Sequence, residues 1–268
     1  MERPDRDDAQ PTGPQVDTSS PNVARMYDYY LGGAANFAVD REAAEKALAV
    51  TPEIGRFARM NRWFLGRVVR YLCDQGIDQF LDLGSGVPTV GNVHEIAHQH
   101  DPEARVAYVD VEPVAVAHAR ALLADEPHVS VTQADIREPR AVLSAPGVSG
   151  LLDFSRPVAV LAVAILHFVP DSDDPLGVLR AYREACPPGS YLALSHAARI
   201  TMSEHEARGG QEVYRGTTTP LVLRTREEIA ALFEGCELVE PGLTPINHWP
   251  EATDEPPTNG YGAVGRMR

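Results

Sequence analysis

No stretch of this chain is apolar over anything near the ~20 residues that a membrane-spanning helix needs. The longest apolar run, Val158 to Val169, is shorter and carries His167 near its end, so it reads as a buried strand. Positive charge is also short: 24 Lys and Arg stand against 38 Asp and Glu, a formal net charge of −14. Such an excess repels nucleic acid phosphates and anionic lipid, which disfavours nucleic acid and membrane partners and favours small molecules. Cysteine is sparse. Cys73, Cys186 and Cys236 lie far apart, which fits reduced thiols in a cytoplasmic protein rather than a disulfide framework or a zinc cluster. The opening MERPDRDDAQPTGPQ lacks the apolar core of a secretory signal.

What is present is a hydrophobic fraction of 44% over 268 residues, enough for one large α/β domain with added elements. Residues 1–20 are rich in Asp, Pro, Ser and Thr and read as a disordered tail. Residues 21–75 read as an N-terminal helical cap, with helices near Asn22–Leu31, Asp40–Ala49 and Pro52–Cys73. From residue 76 onward strands and helices alternate. Strands are expected at Gln79–Leu83, Arg105–Asp110, Val129–Gln133, Val158–Val163 and Tyr191–Ser195, with late ones at Glu237–Glu240 and Ala263–Arg266. Helices are expected from about Thr89 to His100, Pro113 to Ala124 and Pro175 to Cys186. This alternation predicts an α/β, Rossmann-like fold: a mostly parallel, doubly wound sheet of about seven strands.

The segment Phe80-Leu81-Asp82-Leu83-Gly84-Ser85-Gly86 is an apolar strand ending in an acid and a Gly-x-Gly turn. Glycines let backbone approach a ligand closely, and a following helix offers free N–H groups. The third glycine of the dinucleotide fingerprint is missing, since Val87-Pro88-Thr89 follows, which disfavours an NAD-dependent oxidoreductase. Asp110 closes the second strand, where an open α/β sheet places the carboxylate that binds ribose hydroxyls. Asp135 closes the third, where a carboxylate can accept from an exocyclic amine. Each acid alone reads equally well as a turn or helix-cap residue. Three at successive strand ends point to one shared nucleotide-like site.

The succession strand–DLGSG–helix, strand–VDVEP–helix, strand–QADI resembles the class I S-adenosylmethionine-dependent methyltransferases. More narrowly, MYDYYLGGAANFAVDR, RMNRWFLGRVVRYL, QFLDLGSGVPTVGNVHE and VAYVDVEP resemble an actinobacterial family of S-adenosyl methyltransferases, formerly a domain of unknown function. The resemblance runs from about Asn22 to the C-terminal VGRMR. It implies that S-adenosyl-L-methionine is the cofactor, and the acidic balance makes a small molecule the expected methyl acceptor. It further implies that Gly84, Ser85 and Gly86 pass the methionyl part and that Asp82 helps hold its ammonium. Asp110 matches the ribose acid, with Val111 and Glu112 beside it, and Asp135 matches the adenine acid, with Ile136 next to the ring.

Other residues are candidates from their positions. His167, past the fourth strand, is the catalytic candidate, as a general base or as a backbone-bonded histidine; His196 is a weaker one. Tyr30 and Gly33 border a joint between the first two helices and fit a lid over the cofactor, although Tyr27 and Tyr30 equally suit helix packing. Asn61, with Arg59 and Arg62, is placed to reach the cofactor carboxylate. No Asn/Asp-Pro-Pro-Tyr/Phe motif occurs, which argues against a DNA base as acceptor. His94-Glu95-Ile96-Ala97-His98 satisfies the zinc-protease pattern H-E-x-x-H, but no third ligand follows and no metal site is expected. A non-catalytic regulatory protein that binds S-adenosylmethionine or S-adenosylhomocysteine is the alternative, and a zinc hydrolase through His94, Glu95 and His98 the remote one.

Overall fold

The computed structural model describes residues 17–88, 91–217 and 219–268. Most of the expected tail, residues 1–16, lies outside the described residues. Asn22, in extended backbone, caps α1 (Val23–Tyr30) by accepting from the N–H groups of Ala24 and Arg25. α2 (Ala38–Val50) and the long α3 (Ile54–Asp74) follow. On α3 the apolar residues Phe64, Leu65, Val68, Val69 and Leu72 fall on one face and pack against the sheet. Met26, Tyr30, Ala43, Ala44, Ala47 and Ala58 form a separate small core among the three helices, completed by Tyr214.

The sheet contains β1 (Gln79–Leu83), β2 (Arg105–Asp110), β3 (Val129–Gln133), β4 (Ala159–Val163) and β5 (Tyr191–Ala197), all parallel. β6 (Cys236–Leu238), β7 (Thr244–Pro245) and β8 (Gly260–Met267) complete it, with β8 antiparallel to β5, β6 and β7. The order β3-β2-β1-β4-β5-β8-β6 reverses direction between β1 and β4. The helices after α3 are α4 (Val93–His100), α5 (Pro113–Leu122), α6 (Pro139–Ser144), α7 (Pro146–Ser149), α8 (Pro175–Glu184), α9 (Glu204–Arg215) and α10 (Arg226–Ala231). Alternate strand residues face two cores: Leu81, Leu83, Ala107 and Val109 on one side, Phe80, Val106 and Tyr108 on the other. Both faces are covered, as a parallel sheet requires. This is the expected doubly wound architecture, with eight strands among the described residues.

Several local expectations are corrected. α4 starts at Val93, not near Thr89, because Asn92 and Glu95 form a capping box there; its N–H groups therefore do not follow directly on the glycine turn, and Thr89 itself lies outside the described residues. Asp135 sits two residues beyond the end of β3 at Gln133. β4 stops at Val163, since Ala164 takes a left-handed conformation at φ 57°, so His167 lies in a 3-10 turn over Leu166–Phe168. The late strands shift to Cys236–Leu238 and Gly260–Met267.

Candidate cofactor cleft

A cleft of about 390 Å³ opens where the strand order reverses, between the ends of β1 and β4, within the ~300–1,000 Å³ typical of small-molecule sites. Its sheet-side wall begins at the glycine turn. The N–H groups of Gly84 and Ser85 both donate to the Val109 carbonyl, at 2.8 and 3.1 Å, which curls the turn back over β2. Gly84 has φ +71°, and a Cβ there would collide with the Ile165 side chain. Gly86 has φ +65°, with nothing within 4 Å of where a Cβ would sit, so the backbone is left open at that point.

Asp110 is 6% exposed. Its Oδ2 accepts from Gly86 N–H at 2.7 Å and its Oδ1 from Glu112 N–H at 2.8 Å. A carboxylate has about four acceptor positions, so two bonds fix its orientation and leave capacity for a ligand. Burial raises the Asp110 pKa, against the lowering effect of those two bonds. Burial also pushes Asp82 up to about 7, opposed by Arg62 and reinforced by Asp110. The cleft thus holds two desolvated carboxylates whose charge is incompletely balanced. Asp135 differs: Arg137 binds it through Nε at 3.0 Å and Nη2 at 2.6 Å and lowers its pKa, while the same guanidinium reaches Asp173 at 2.7 Å. Val111, 59% exposed, and Ile136, buried, add apolar lining.

The opposite wall is helical. Asn61 is buried; its Nδ2 donates to the Tyr27 hydroxyl at 3.0 Å and its Oδ1 accepts from Ser195 Oγ at 2.5 Å. Tyr27 in turn donates to the Ala58 carbonyl. This wall is fastened to the tip of β2 by charge. Arg25 is 1% exposed, pairs with Asp40 at 2.8 Å and with Glu112 at 2.9 Å, and Asn22 Nδ2 donates to Glu112 at 2.6 Å. Both Glu112 oxygens are therefore occupied by the cap, whereas Asp110 next to it faces the cleft.

Asp82, Gly84, Ser85, Gly86, Asp110, Val111, Asp135, Ile136 and Asn61 all line this cleft. Tyr30, Gly33 and His167 do not. The Tyr30 hydroxyl bonds the Tyr214 hydroxyl at 3.1 Å inside the helical core, and its neighbour Tyr27 takes the place at the cleft. Gly33 borders the adjacent groove and is packed so closely on the Asp28 carboxylate that a Cβ would overlap it. His167 turns away with its 3-10 turn: its Nδ1 accepts from Ala197 N–H at 3.2 Å. Burial, with His196 and Arg224 nearby, holds His167 well below the ordinary histidine range and therefore neutral. His196 is pushed down to about 4 by burial and is clamped between the Ala197 carbonyl and Arg224 Nη1. Arg59 borders only the adjacent groove, while Arg62 reaches the cleft. In H-E-x-x-H, the His94 ring bonds Tyr108 and the His98 ring bonds the Ala104 carbonyl. Among the described residues no cluster of three metal-ligating side chains occurs, and no helix is long and apolar enough to cross a membrane.

Sequence reasoning missed Asn22, Ile165, Phe168 and Thr219, which also line the cleft. Only Asn22 carried a signal, as a helix-capping residue just before an apolar helix.

A reversal of strand order, a glycine turn and acids at the strand ends define a Rossmann-like α/β protein with a ligand crevice at its carboxyl edge. The particular family follows from comparison. A profile of the S-adenosyl methyltransferase family matches residues 9–268, and the chain belongs to that family, whose cofactor is S-adenosylmethionine. A crystal structure of a proposed methyltransferase from Thermobifida fusca YX is 39% identical over 95% of this chain and 98% of that one, at TM-score 0.88. A DUF574 family protein from Streptomyces avermitilis MA-4680 is 38% identical over 95% and 100%, at TM-score 0.90. The N-methyltransferase NodS from Bradyrhizobium japonicum WM9, in complex with S-adenosyl-L-homocysteine, shares the fold at 16% identity, 91% and 98% coverage and TM-score 0.52. No curated protein matches the chain.

Proposed function

We propose that the cleft holds S-adenosylmethionine and that the protein, a class I enzyme, methylates a small molecule. The observation that carries this is Asp110: a buried carboxylate, fixed by two backbone N–H groups, with acceptor capacity left for a pair of hydroxyls. The donor set suits the cofactor, since two under-compensated acids favour a ligand that brings an ammonium and hydroxyl donors. The open backbone at Gly86 is the cradle for its amino-acid part. In this reading Asp110 binds ribose, Asp82 faces the ammonium, and Gly84, Ser85 and Gly86 supply close backbone. Val111 and Ile136 flank the adenine ring. Asp135 accepts from its amine while remaining paired with Arg137.

In the transfer, the acceptor's lone pair forms the bond to the activated methyl carbon as the carbon–sulfur bond breaks, leaving that electron pair on sulfur. The protein's part is alignment and exclusion of water. Residues 21–75 act as the cap, and the Arg25–Glu112 pair closes them onto the crevice. A small acceptor fits the net charge of −14, and three separate free cysteines fit a cytoplasmic location.

The test is calorimetric binding of S-adenosylhomocysteine. Asp110→Ala removes charge-assisted hydrogen bonds worth ~1.5–3 kcal/mol each, so affinity should fall at least tenfold. An affinity within twofold of wild type contradicts the assignment.

A further inference from the structure

Beside the cleft lies a second, smaller space of about 70 Å³, walled by Phe57, His167, Phe168, Ala197, Tyr214 and Leu223. Phe168 lines both, so the two spaces adjoin at that residue. One water requires roughly 10–15 Å³, so the slot has room for several waters or one small ring. Its walls are aromatic. The His167 and Phe168 ring centroids lie 4.4 Å apart, Phe57 meets His167 edge-on at 6.2 Å, and Phe168 lies 5.8 Å from Tyr214. Such surfaces accept a flat ring in offset or edge-on contact.

The slot's buried, unmatched nitrogens are of one kind. His167 accepts a backbone N–H at Nδ1 and is neutral, so its proton is on Nε2, which has no partner among the described residues. Asn259, 4% exposed, spends its Oδ1 on the N–H groups of Ile200, Thr201 and Met202 and on the Thr201 hydroxyl. Its Nδ2 is buried with no hydrogen-bond partner, and buried donors left unmatched are rare. The Tyr30–Tyr214 hydroxyl pair has two hydrogens for the single bond between them. At the exposed rim, Glu206 Oε2 takes the Ser203 N–H and hydroxyl, which leaves Oε1 open, and Glu53 lies 3.5 Å from Arg56. Within the buried part of the slot, the unmatched nitrogens, His167 Nε2 and Asn259 Nδ2, are neutral donors.

We propose that this slot is the methyl-acceptor subsite and takes a one-ring aromatic molecule carrying an uncharged carbonyl oxygen, which accepts from His167 and Asn259. This rests on reading the neighbouring cleft as the cofactor site. It gives His167 a substrate-binding role as a donor in place of a general base.

Benzamide, toluene and benzoate serve as probes in amide NMR titrations of the full chain with S-adenosylhomocysteine present. Two variants each keep an acceptor for the backbone N–H groups and change the donor: His167→Asn withdraws Nε2–H, its shorter amide ending nearer the backbone, and Asn259→Asp replaces Nδ2 by a carboxylate oxygen. Benzamide should shift the signals of 196–202 and 259 and bind about tenfold more tightly than toluene or benzoate. Each variant should weaken benzamide about tenfold and leave S-adenosylhomocysteine affinity within twofold, because neither residue lines the cleft. Overhauser contacts between benzamide and the methylene groups beside sulfur should appear in the ternary sample. Toluene matching benzamide, unchanged benzamide binding in both variants, or no benzamide binding to wild type would overturn the donor-lined slot. Benzamide bound without those contacts would overturn its acceptor role. Failure of wild type to bind S-adenosylhomocysteine would instead strike the cofactor reading, while the benzamide comparison, repeated without it, still reports on the slot.

Discussion

The two walls of the cleft are built on different principles. The sheet-side wall is local: Gly84 to Gly86, Asp110 and Asp135 follow the ends of successive strands, and backbone N–H groups hold the key carboxylate. The helical wall is long-range: Asn22 and Arg25 reach Glu112 across about a third of the chain, through a buried charge network. Strand-end geometry needs no partner to be specified, whereas the helical wall exists only once the cap has docked.

The sharpest way to break that contrast is through its two arginines. Arg25→Met leaves Asp40 and Glu112 buried without their cation, and should cost roughly 3–5 kcal/mol in urea unfolding. Arg137→Met acts on a half-exposed pair on the other wall and should cost about 0–1 kcal/mol. Equal losses would remove the distinction.

A second difference is in titration. Asp82 has a folded-state pKa of about 7, above its ordinary 3.8, so the fold favours its protonated form. That stabilisation is complete below about pH 3.8 and is lost as pH climbs through about 7. The ionised form is the one that faces an ammonium, so S-adenosylhomocysteine affinity should rise by up to about tenfold per pH unit below 7 and level off above it. Asp82→Asn should flatten both profiles. A flat calorimetric profile in wild type would contradict the role given to Asp82.

The smallest expected effect separates two tyrosines on one helix. Tyr27→Phe removes the hydroxyl that accepts from Asn61 at the cleft and should weaken S-adenosylhomocysteine binding a few-fold, about the worth of one neutral hydrogen bond. Tyr30→Phe alters only the Tyr214 contact and should leave affinity unchanged. Isothermal titration of the pair decides this, and equal weakening would put Tyr30 back at the site.

The same contrast explains which parts of the molecule could be read from the chain. Alternating apolar residues and strand-end acids placed β1 to β5, the glycine turn and the acids that line the cleft, because strand period and sheet topology dictate those positions. Which of the two readings of His167 holds, general base or backbone-bonded, could not be read, because Ala162 to Leu166 is continuously apolar and nothing in it marks the left-handed turn at Ala164. Tyr30 and Tyr27 could not be told apart, since the choice depends on Tyr214, far along the chain, filling the helical core. Arg25 gave no hint either; a buried arginine is recognisable only beside its two acids.

Hydrogen exchange of the wild-type protein with and without S-adenosylhomocysteine tests the central claim most directly. One ligand bridging both walls predicts slower exchange at 84–86 and 110–112 together with 22–31 and the turn of α3 around Asn61. Protection at 84–86 and 110–112 with none at 22–31 and around Asn61, or none at 84–86 and 110–112, would contradict it.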